Sequence, residues 1–446
     1  MTTPSALFVT ARQKSLGETY TAARFAADLT ANGWNVRFAA FPFAADFLRQ
    51  GGWKVAPLSD DRTANQRALN LAAREISPSL IITSDYYLNE SADVAHVWSN
   101  NWLFDLSCPV ATFDHLMLHP RLRRITIECL RRFEAPKAGD PGAPKGPRPR
   151  TKICEIQPLP DRIAAIVRPC PLHDPRIDPD DRIFKFNLSG GAGSPGERTD
   201  QVRCRLGLPV HERLVLVPVG SWAIQLCTTL GIPYMRYYPR LLARYFSACL
   251  VPVRLVFVSG ELEDRVETSG QVTLQYRSGL PVSVVDDLVR TSDLVIADNV
   301  TSATVTRAVI AGVPAAAFVN SVSARPAADG VAFDSPFPLS AHVEGLVRSI
   351  EREAPGSIFP SAVFPLGWLE ELRPLFDGNR YARTFERLEL FDEGATTCAL
   401  QRLLCDESVR RELREHQAAY CAELTRLPGA AAISERILAR AQEVMS

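Results

Sequence analysis

The chain has no excess of either charge: Lys and Arg together number 50, Asp and Glu together number 50, among 446 residues. A balanced surface gives no electrostatic support for nucleic acid or a membrane surface as the main partner. No stretch reaches the roughly 18 apolar residues of a spanning helix, so no integral membrane segment is expected. The opening residues, Met-Thr-Thr-Pro-Ser-Ala-Leu-Phe-Val-Thr, lack a basic stretch, and their apolar run is only strand-sized. That argues against a secretory leader and for a cytoplasmic location. The ten cysteines include no C-x-x-C pair, and several sit inside apolar segments, as Cys249 does before Leu250 and Val251. Reduced, buried thiols are the expectation. Only His115 and His119 have an H-x-x-x-H spacing, Pro120 follows at once, and no Glu stands beside His115. A metal site is therefore not expected.

What is present is ordinary for a soluble globular protein: 46% hydrophobic and 22% charged residues. The length exceeds one ordinary domain, so two are the default. The first half alternates short apolar runs with helical patterns. Residues 6–10 read as a buried strand. Ala22, Phe25, Ala26 and Leu29 then follow helical spacing, and Gly33 stops the helix. Further strands are predicted over 35–39, 53–57, 80–84 and 109–113, with a helix around 65–75. Alternating strands and helices imply a parallel sheet covered on both faces.

Residues 134–152 break the pattern with proline, glycine and basic charge. Their composition predicts a flexible loop, either a mobile flap or a plain surface insertion. Residues 171–200 are rich in Pro, Asp and Gly, and end in the glycine cluster 189–196. That cluster lacks the Gly-Lys-Ser/Thr of a phosphate-binding loop, so a linker is the better reading. The domains expected are 1–180, a linker over 181–200, and 201–446 with terminal helices. In the second series, strands are predicted over 213–219, 253–258, 272–276, 294–297 and 315–319. Helices are predicted over 238–250, 285–291 and 303–311. In the tail Val409, Leu413, Tyr420, Leu424 and Leu427 share a face after Asp406 as N-cap.

In open α/β sheets ligands bind outside the carboxyl ends of the strands. This selects the loops at 11–19, 85–90 and 114–119 in the first domain, and 220–223 and 298–304 in the second. Two such sheets predict a ligand cleft between the domains.

Certain motifs here resemble the GT-B glycosyltransferase superfamily, the nucleotide-sugar-dependent, UDP-glycosyltransferase-like enzymes with two Rossmann-like domains facing across a cleft. In the plant and antibiotic-type members, strand one is followed by Gly-His, a helix, and Gly-x-x-Val. This chain has Gly17-Glu18, a helix, and Gly33-Trp-Asn-Val36. The resemblance puts Glu18 at the family's catalytic histidine and Asp85 as its orienting carboxylate. The segment from Asp293 to Pro314 looks like the family's nucleotide-diphosphate segment, with Asn299, Thr301, Ser302 and Thr304 at its turn. Gly220 and Ser221 look like the turn that approaches the donor. This chain departs from the family at the turn, where Asn299-Val300 replaces small residues, and at Arg307, where the family carries a ribose-binding Glu.

The resemblance implies a metal-independent transferase of natural-product type. It would move a sugar from a nucleotide-diphosphate sugar to a small-molecule acceptor, with no cofactor beyond that co-substrate; a homodimer is compatible with it. The residues leave alternatives open. Glu18 is either the base or a first-turn carboxylate. Asp85 either orients the base or caps a turn. Asp114-His115 is a rival dyad or a loop pair. Arg307 meets phosphate or faces solvent. Glu393, with Glu389 and Asp392, binds donor hydroxyls or is solvated. Two other readings stand beside transfer: an epimerase-like enzyme on the same fold, and a non-catalytic auxiliary protein.

Overall fold

The computed structural model describes residues 3–11, 16–89, 95–116, 125–127, 152–154, 159–174, 181–188, 199–205, 207–209, 211–327 and 330–445. The expected flexible loop 134–152, apart from its last residue, and the glycine cluster 189–196 lie outside these. The chain forms two compact units. Unit 1 comprises Met1–Arg123, Ile156–Ala192 and Tyr420–Ser446; unit 2 comprises Arg124–Glu155 and Gly193–Ala419.

Five strands open unit 1: β1 (Ser5–Thr10), β2 (Asn35–Ala40), β3 (Val55–Pro57), β4 (Leu80–Thr83) and β5 (Val110–Phe113). A short antiparallel pair comes next in the chain, in the stretch that belongs to unit 2: β6 (Ile125–Ile127) with β7 (Lys152–Cys154). Strands β8 (Ile163–Cys170) and β9 (Ile183–Asn187) then complete a parallel sheet in the order β3-β2-β1-β4-β5-β8-β9.

β1 is buried along its whole length because side chains of a strand alternate between faces and both faces are covered. Ala6 and Phe8 point to one face, with Phe25, Phe38, Phe113 and Phe186. Leu7 and Val9 point to the other, with Leu69, Ile81 and Trp98. The helix Gly17–Ala31 ends where expected. Gly33 has φ +83°, a region that strains other residues, and Trp34 N donates to Leu29 O at 3.1 Å.

Two domain expectations need correction. The linker over 181–200 contains β9, a strand of the unit 1 sheet. Its alternation, Ile-Phe-Lys-Phe, buries Phe184 and Phe186 in the aromatic layer, while its proline-rich flanks disguise it. The domain 201–446 does not keep its last helix, because the chain from Tyr420 onward belongs to unit 1. In the helix Glu407–Leu424, Asp406 caps the start as expected, accepting from Ser408 N at 2.9 Å. Tyr420 near its end donates to Pro171 O at 2.8 Å. In the last helix, Ala430–Met445, the residues Ala430, Ile433 and Ile437 bury themselves with Ala22, Phe25 and Leu29, and Ala430 N donates to the Asp28 carboxylate. The apolar stripe is a sequence property, but what it covers is decided by packing.

Unit 2 has β10 (Arg213–Pro218), β11 (Val253–Ser259), β12 (Arg265–Ser269), β13 (Val272–Ser278), β14 (Leu294–Ala297), β15 (Ala315–Val319), the hairpin β16 (Ser323–Ala327) with β17 (Gly330–Asp334), and β18 (Glu386–Glu389). Its sheet order is β12-β13-β11-β10-β14-β15-β18, parallel except for the antiparallel edge strand β12. The helix expected over 238–250 is Tyr234–Phe246, and a helix Ser221–Leu230 precedes it. Among the described residues, no helix is long and apolar enough to cross a membrane.

Candidate functional site

In unit 1 the chain runs from β1 outward through β2 and β3, then crosses to β4 on the other side of β1. The carboxyl ends of β1 and β4 therefore flank a topological switch point, where open α/β sheets bind ligands. Glu18, in the first turn of the helix after β1, is half-buried. Asp85 follows β4, and Asp114 and His115 follow β5.

Asp85 is fully buried, and its two oxygens have separate tasks. Oδ1 accepts from Leu88 N at 3.0 Å, which fixes the carboxylate on the turn. Oδ2 faces His115 Nδ1 at 3.3 Å and His115 N at 3.4 Å. An ionised carboxylate only accepts, so Nδ1 carries the proton of the neutral ring and Nε2 keeps its lone pair. Nε2 is buried with no hydrogen-bond partner among the described residues. Burial opposes the imidazolium. The Asp85 bond outweighs it, with the charges of Asp85, Glu18 and Asp114, and the pKa of His115 is raised above 6.5.

This corrects the expected pairing. Asp85 meets His115, where the family resemblance makes it the partner of a base at position 18. Asp114, the expected partner in the rival dyad, instead accepts from Arg168 Nε at 3.3 Å, both side chains being 1% exposed. Glu18 acts on His115 through its charge.

Three groups here were missed from sequence. Arg168 interrupts the apolar run of β8, and a charge inside a buried strand signals a buried partner. His173 places Nε2 at 2.9 Å from His115 O, and its pKa is held well below 6.5 by burial and by the charges of Arg168, Lys185 and His115. Tyr87 sits close enough that burial and the carboxylates of Asp114 and Asp85 push its hydroxyl pKa up. No local pattern distinguishes these two. His119 lies outside the described residues.

Unit 2 repeats the topology. From β10 the chain passes to β11 and β13, then crosses to β14 on the opposite side of β10. Gly220 and Ser221 leave β10 and open the helix Ser221–Leu230. A Cβ on Gly220 would come within 2.7 Å of Trp222 Nε1, so any other residue there would have to displace the Trp222 ring. Ser221 Oγ lies 3.2 Å from Ser259 Oγ and accepts from Gly260 N at 3.2 Å, tying together the ends of β10 and β11.

After β14 come Asp298, Asn299, Val300 and Thr301, then Ser302 as N-cap of the helix Ala303–Ile310. Ser302 makes no side-chain capping bond, which leaves the first-turn amides to another acceptor. Thr304 is the second helical residue and half-buried. The turn is held from inside: Thr301 Oγ1 donates to Asn299 Oδ1 at 3.2 Å, and Asn299 Nδ2 to Asp298 Oδ1 at 2.8 Å.

Two expected donor contacts have other partners. Arg307 Nε donates to Asp286 Oδ1 at 2.7 Å, and its guanidinium reaches Val282 O at 3.3 Å. Asp286 and Val282 are in the neighbouring helix Val282–Thr291, so Arg307 braces helix against helix rather than facing open solvent. Glu393 accepts from Arg244 Nε at 2.8 Å and from Ser340 Oγ. Burial opposes its charge, but these two bonds hold its pKa below the usual carboxylate range. Glu389, at the end of β18, accepts from Ser321 N at 2.9 Å and Ser321 Oγ at 2.5 Å beyond β15.

Among the described residues no group of three His, Cys, Asp or Glu side chains is placed to hold a metal ion. No curated protein matches the chain in sequence. Solved glycosyltransferases match its fold from end to end. The spinosyn forosaminyltransferase SpnP is 15% identical, covers 98% of both chains, and gives a TM-score of 0.55. The glycosyltransferase VinC, solved in complex with dTDP, is 13% identical, covers 98% of this chain and 100% of its own, and gives 0.52. At such identity the likeness is one of fold, and that fold is GT-B. In sequence, residues 25–442 match one family, described as a family of unknown function (DUF6365). The chain is a member of the DUF6365 family, carried on the GT-B glycosyltransferase fold.

Proposed function

We propose that this protein transfers a sugar from a nucleoside-diphosphate sugar to a hydroxyl group of a small-molecule acceptor, with His115 as base. The observation that carries the reading is the Asp85–His115 pair at the unit 1 switch point. It supplies a ring whose orientation is fixed at Nδ1 and whose lone pair is presented at Nε2. Nε2 takes the proton of the acceptor hydroxyl as its oxygen bonds to the anomeric carbon. The bond from that carbon to the diphosphate oxygen breaks, and the electron pair leaves with the nucleoside diphosphate. In unit 2 the uncapped amides that open the helix Ala303–Ile310 hold this anion, helped by the positive end of the helix. Glu18 and Asp114 serve by raising the basicity of His115. The nucleotide sugar is a co-substrate.

The experiment is turnover of thymidine diphosphate sugars, the nucleotide being the one bound to VinC. His115→Asn should lower turnover roughly 100-fold or more, with nucleotide affinity little changed. Full activity in His115→Asn beside a dead Glu18→Gln would return the base to Glu18. A wild-type protein that binds no nucleoside diphosphate would leave the non-catalytic reading in front, a reading supported by Arg307 standing where the family carries a ribose-binding Glu.

A further inference from the structure

Between β14 and the helix Ala303–Ile310 runs a chain of hydrogen bonds whose direction follows from the chemistry of each atom. It starts at Asp298, 6% exposed, which accepts at both oxygens. Tyr234 OH donates to Oδ2 at 2.6 Å, and Asn299 Nδ2 donates to Oδ1 at 2.8 Å. A carboxylate only accepts and an amide nitrogen only donates, so the Asn299 amide turns its nitrogen to Asp298 and its oxygen to Thr301. That oxygen again only accepts. The 3.2 Å bond between Thr301 Oγ1 and Asn299 Oδ1 therefore uses the single hydrogen of the Thr301 hydroxyl. The backbone holds the same turn, since Val300 N donates to Ala362 O at 3.1 Å.

A hydroxyl has one hydrogen and two lone pairs. With the hydrogen committed to Asn299, Thr301 Oγ1 has only lone pairs to offer a ligand. The oxygens of an ionised diphosphate also offer only lone pairs, and two acceptors cannot bond each other. Thr301 directly precedes the N-cap Ser302 and is half-buried rather than closed off. The groups it can bond are those that bring a hydrogen. In a nucleoside-diphosphate sugar, hydroxyls of that kind flank the diphosphate on both sides, on the pentose and on the transferred sugar.

We infer that Thr301 is a specificity-determining residue of the donor site: its hydroxyl accepts a hydrogen bond from a pentose or sugar hydroxyl of the nucleoside-diphosphate sugar and makes none to the diphosphate. The inference rests on the reading that the uncapped amides of the helix Ala303–Ile310 hold the diphosphate. Those amides give hydrogens to the anion, while Thr301 takes one from a hydroxyl beside it. Tyr234, Asp298 and Asn299 are positioning residues that set this direction.

The test is calorimetric binding of three probes to the full chain at about pH 8, where phosphate groups are fully ionised. The probes are thymidine diphosphate glucose, thymidine diphosphate, and 2′,3′-dideoxythymidine diphosphate, which has no hydroxyl on its pentose. Thr301→Val keeps the shape of the side chain and removes the hydroxyl. It should weaken thymidine diphosphate glucose roughly 3- to 10-fold, the loss of one hydrogen bond, and leave the dideoxy probe unchanged. Thr301→Ser, which keeps the hydroxyl, should retain wild-type affinity for both. Thymidine diphosphate weakened alongside the glucose conjugate identifies the pentose hydroxyl as the partner; thymidine diphosphate unchanged identifies the transferred sugar. If Thr301→Val does not fold, Thr301→Ala carries the comparison. An equal loss for all three probes would overturn the inference, since the hydroxyl would then serve the diphosphate or the turn alone. So would unaltered affinity for thymidine diphosphate glucose in a folded variant. A wild type that binds none of the three would overturn the donor reading itself, and the inference with it.

Discussion

Two histidines 2.9 Å apart, ring to backbone, titrate in opposite directions because their neighbours differ. Around His115 the carboxylates of Asp85, Glu18 and Asp114 outweigh burial, and its pKa rises. Around His173 burial is joined by Arg168, Lys185 and His115 itself, and its pKa falls well below 6.5. The consequences for stability have opposite sign. The His115 contribution is full below pH 6.5 and fades as pH climbs through its raised folded value. His173 must stay neutral in the fold while the unfolded chain takes up a proton, so it removes stability as pH drops below 6.5. The loss grows as pH falls further below that value. Urea unfolding at pH 7, 6 and 5 should show His173→Gln losing less stability on acidification than the wild type; parallel profiles would contradict the assignment. For activity, the raised pKa of His115 should place the acid limb of kcat/KM above pH 6.5. His115 was a visible candidate in the sequence, as was Asp85. Their pairing was not, because 30 residues separate them and only the adjacency of β4 and β5 brings them together.

The element that matters most in unit 2 is the helix Ala303–Ile310 with its uncapped start. Its boundaries were legible from Thr301 and Ser302 before it and Gly312-Val-Pro314 after it, which are local signals. Ser302→Asp should place a carboxylate over the first-turn amides and occupy them. An acidic residue at a helix N-terminus is tolerated or favoured, so the fold should stand. Nucleoside diphosphate binding should be abolished in calorimetry while circular dichroism is unchanged. Equal nucleotide affinity in the two proteins would remove this helix from donor binding. Arg307 illustrates the limit of reading one element alone. Its position on the helix left phosphate and solvent both open, and the neighbouring helix Val282–Thr291 supplies Asp286 to engage it.

At the scale of the whole molecule, the path of the tail was the least visible feature. Ile433 is fully buried in the unit 1 core that also holds Ala22, Phe25 and Leu29, some four hundred residues earlier in the chain. Ile433→Ala should therefore destabilise unit 1 by about 2–5 kcal/mol, the usual range for truncating a buried isoleucine. Urea unfolding followed by tryptophan fluorescence would report it, since four of the six tryptophans, Trp34, Trp53, Trp98 and Trp102, lie in unit 1. An unchanged midpoint would mean that the last helix does not support unit 1. The sequence by itself determined the α/β class, the positions of most strands, the glycine stops and the strand-end loops that carry Asp85, His115 and Ser302. These rest on hydrophobic period and turn chemistry, which act over a few residues. The tertiary structure alone decided that β9 joins the first sheet, that the tail returns to unit 1, and that Asp85 serves His115 while Asp114 serves Arg168. Each of these depends on which distant segment fills a neighbouring place, and a one-dimensional pattern does not encode that choice at any single residue.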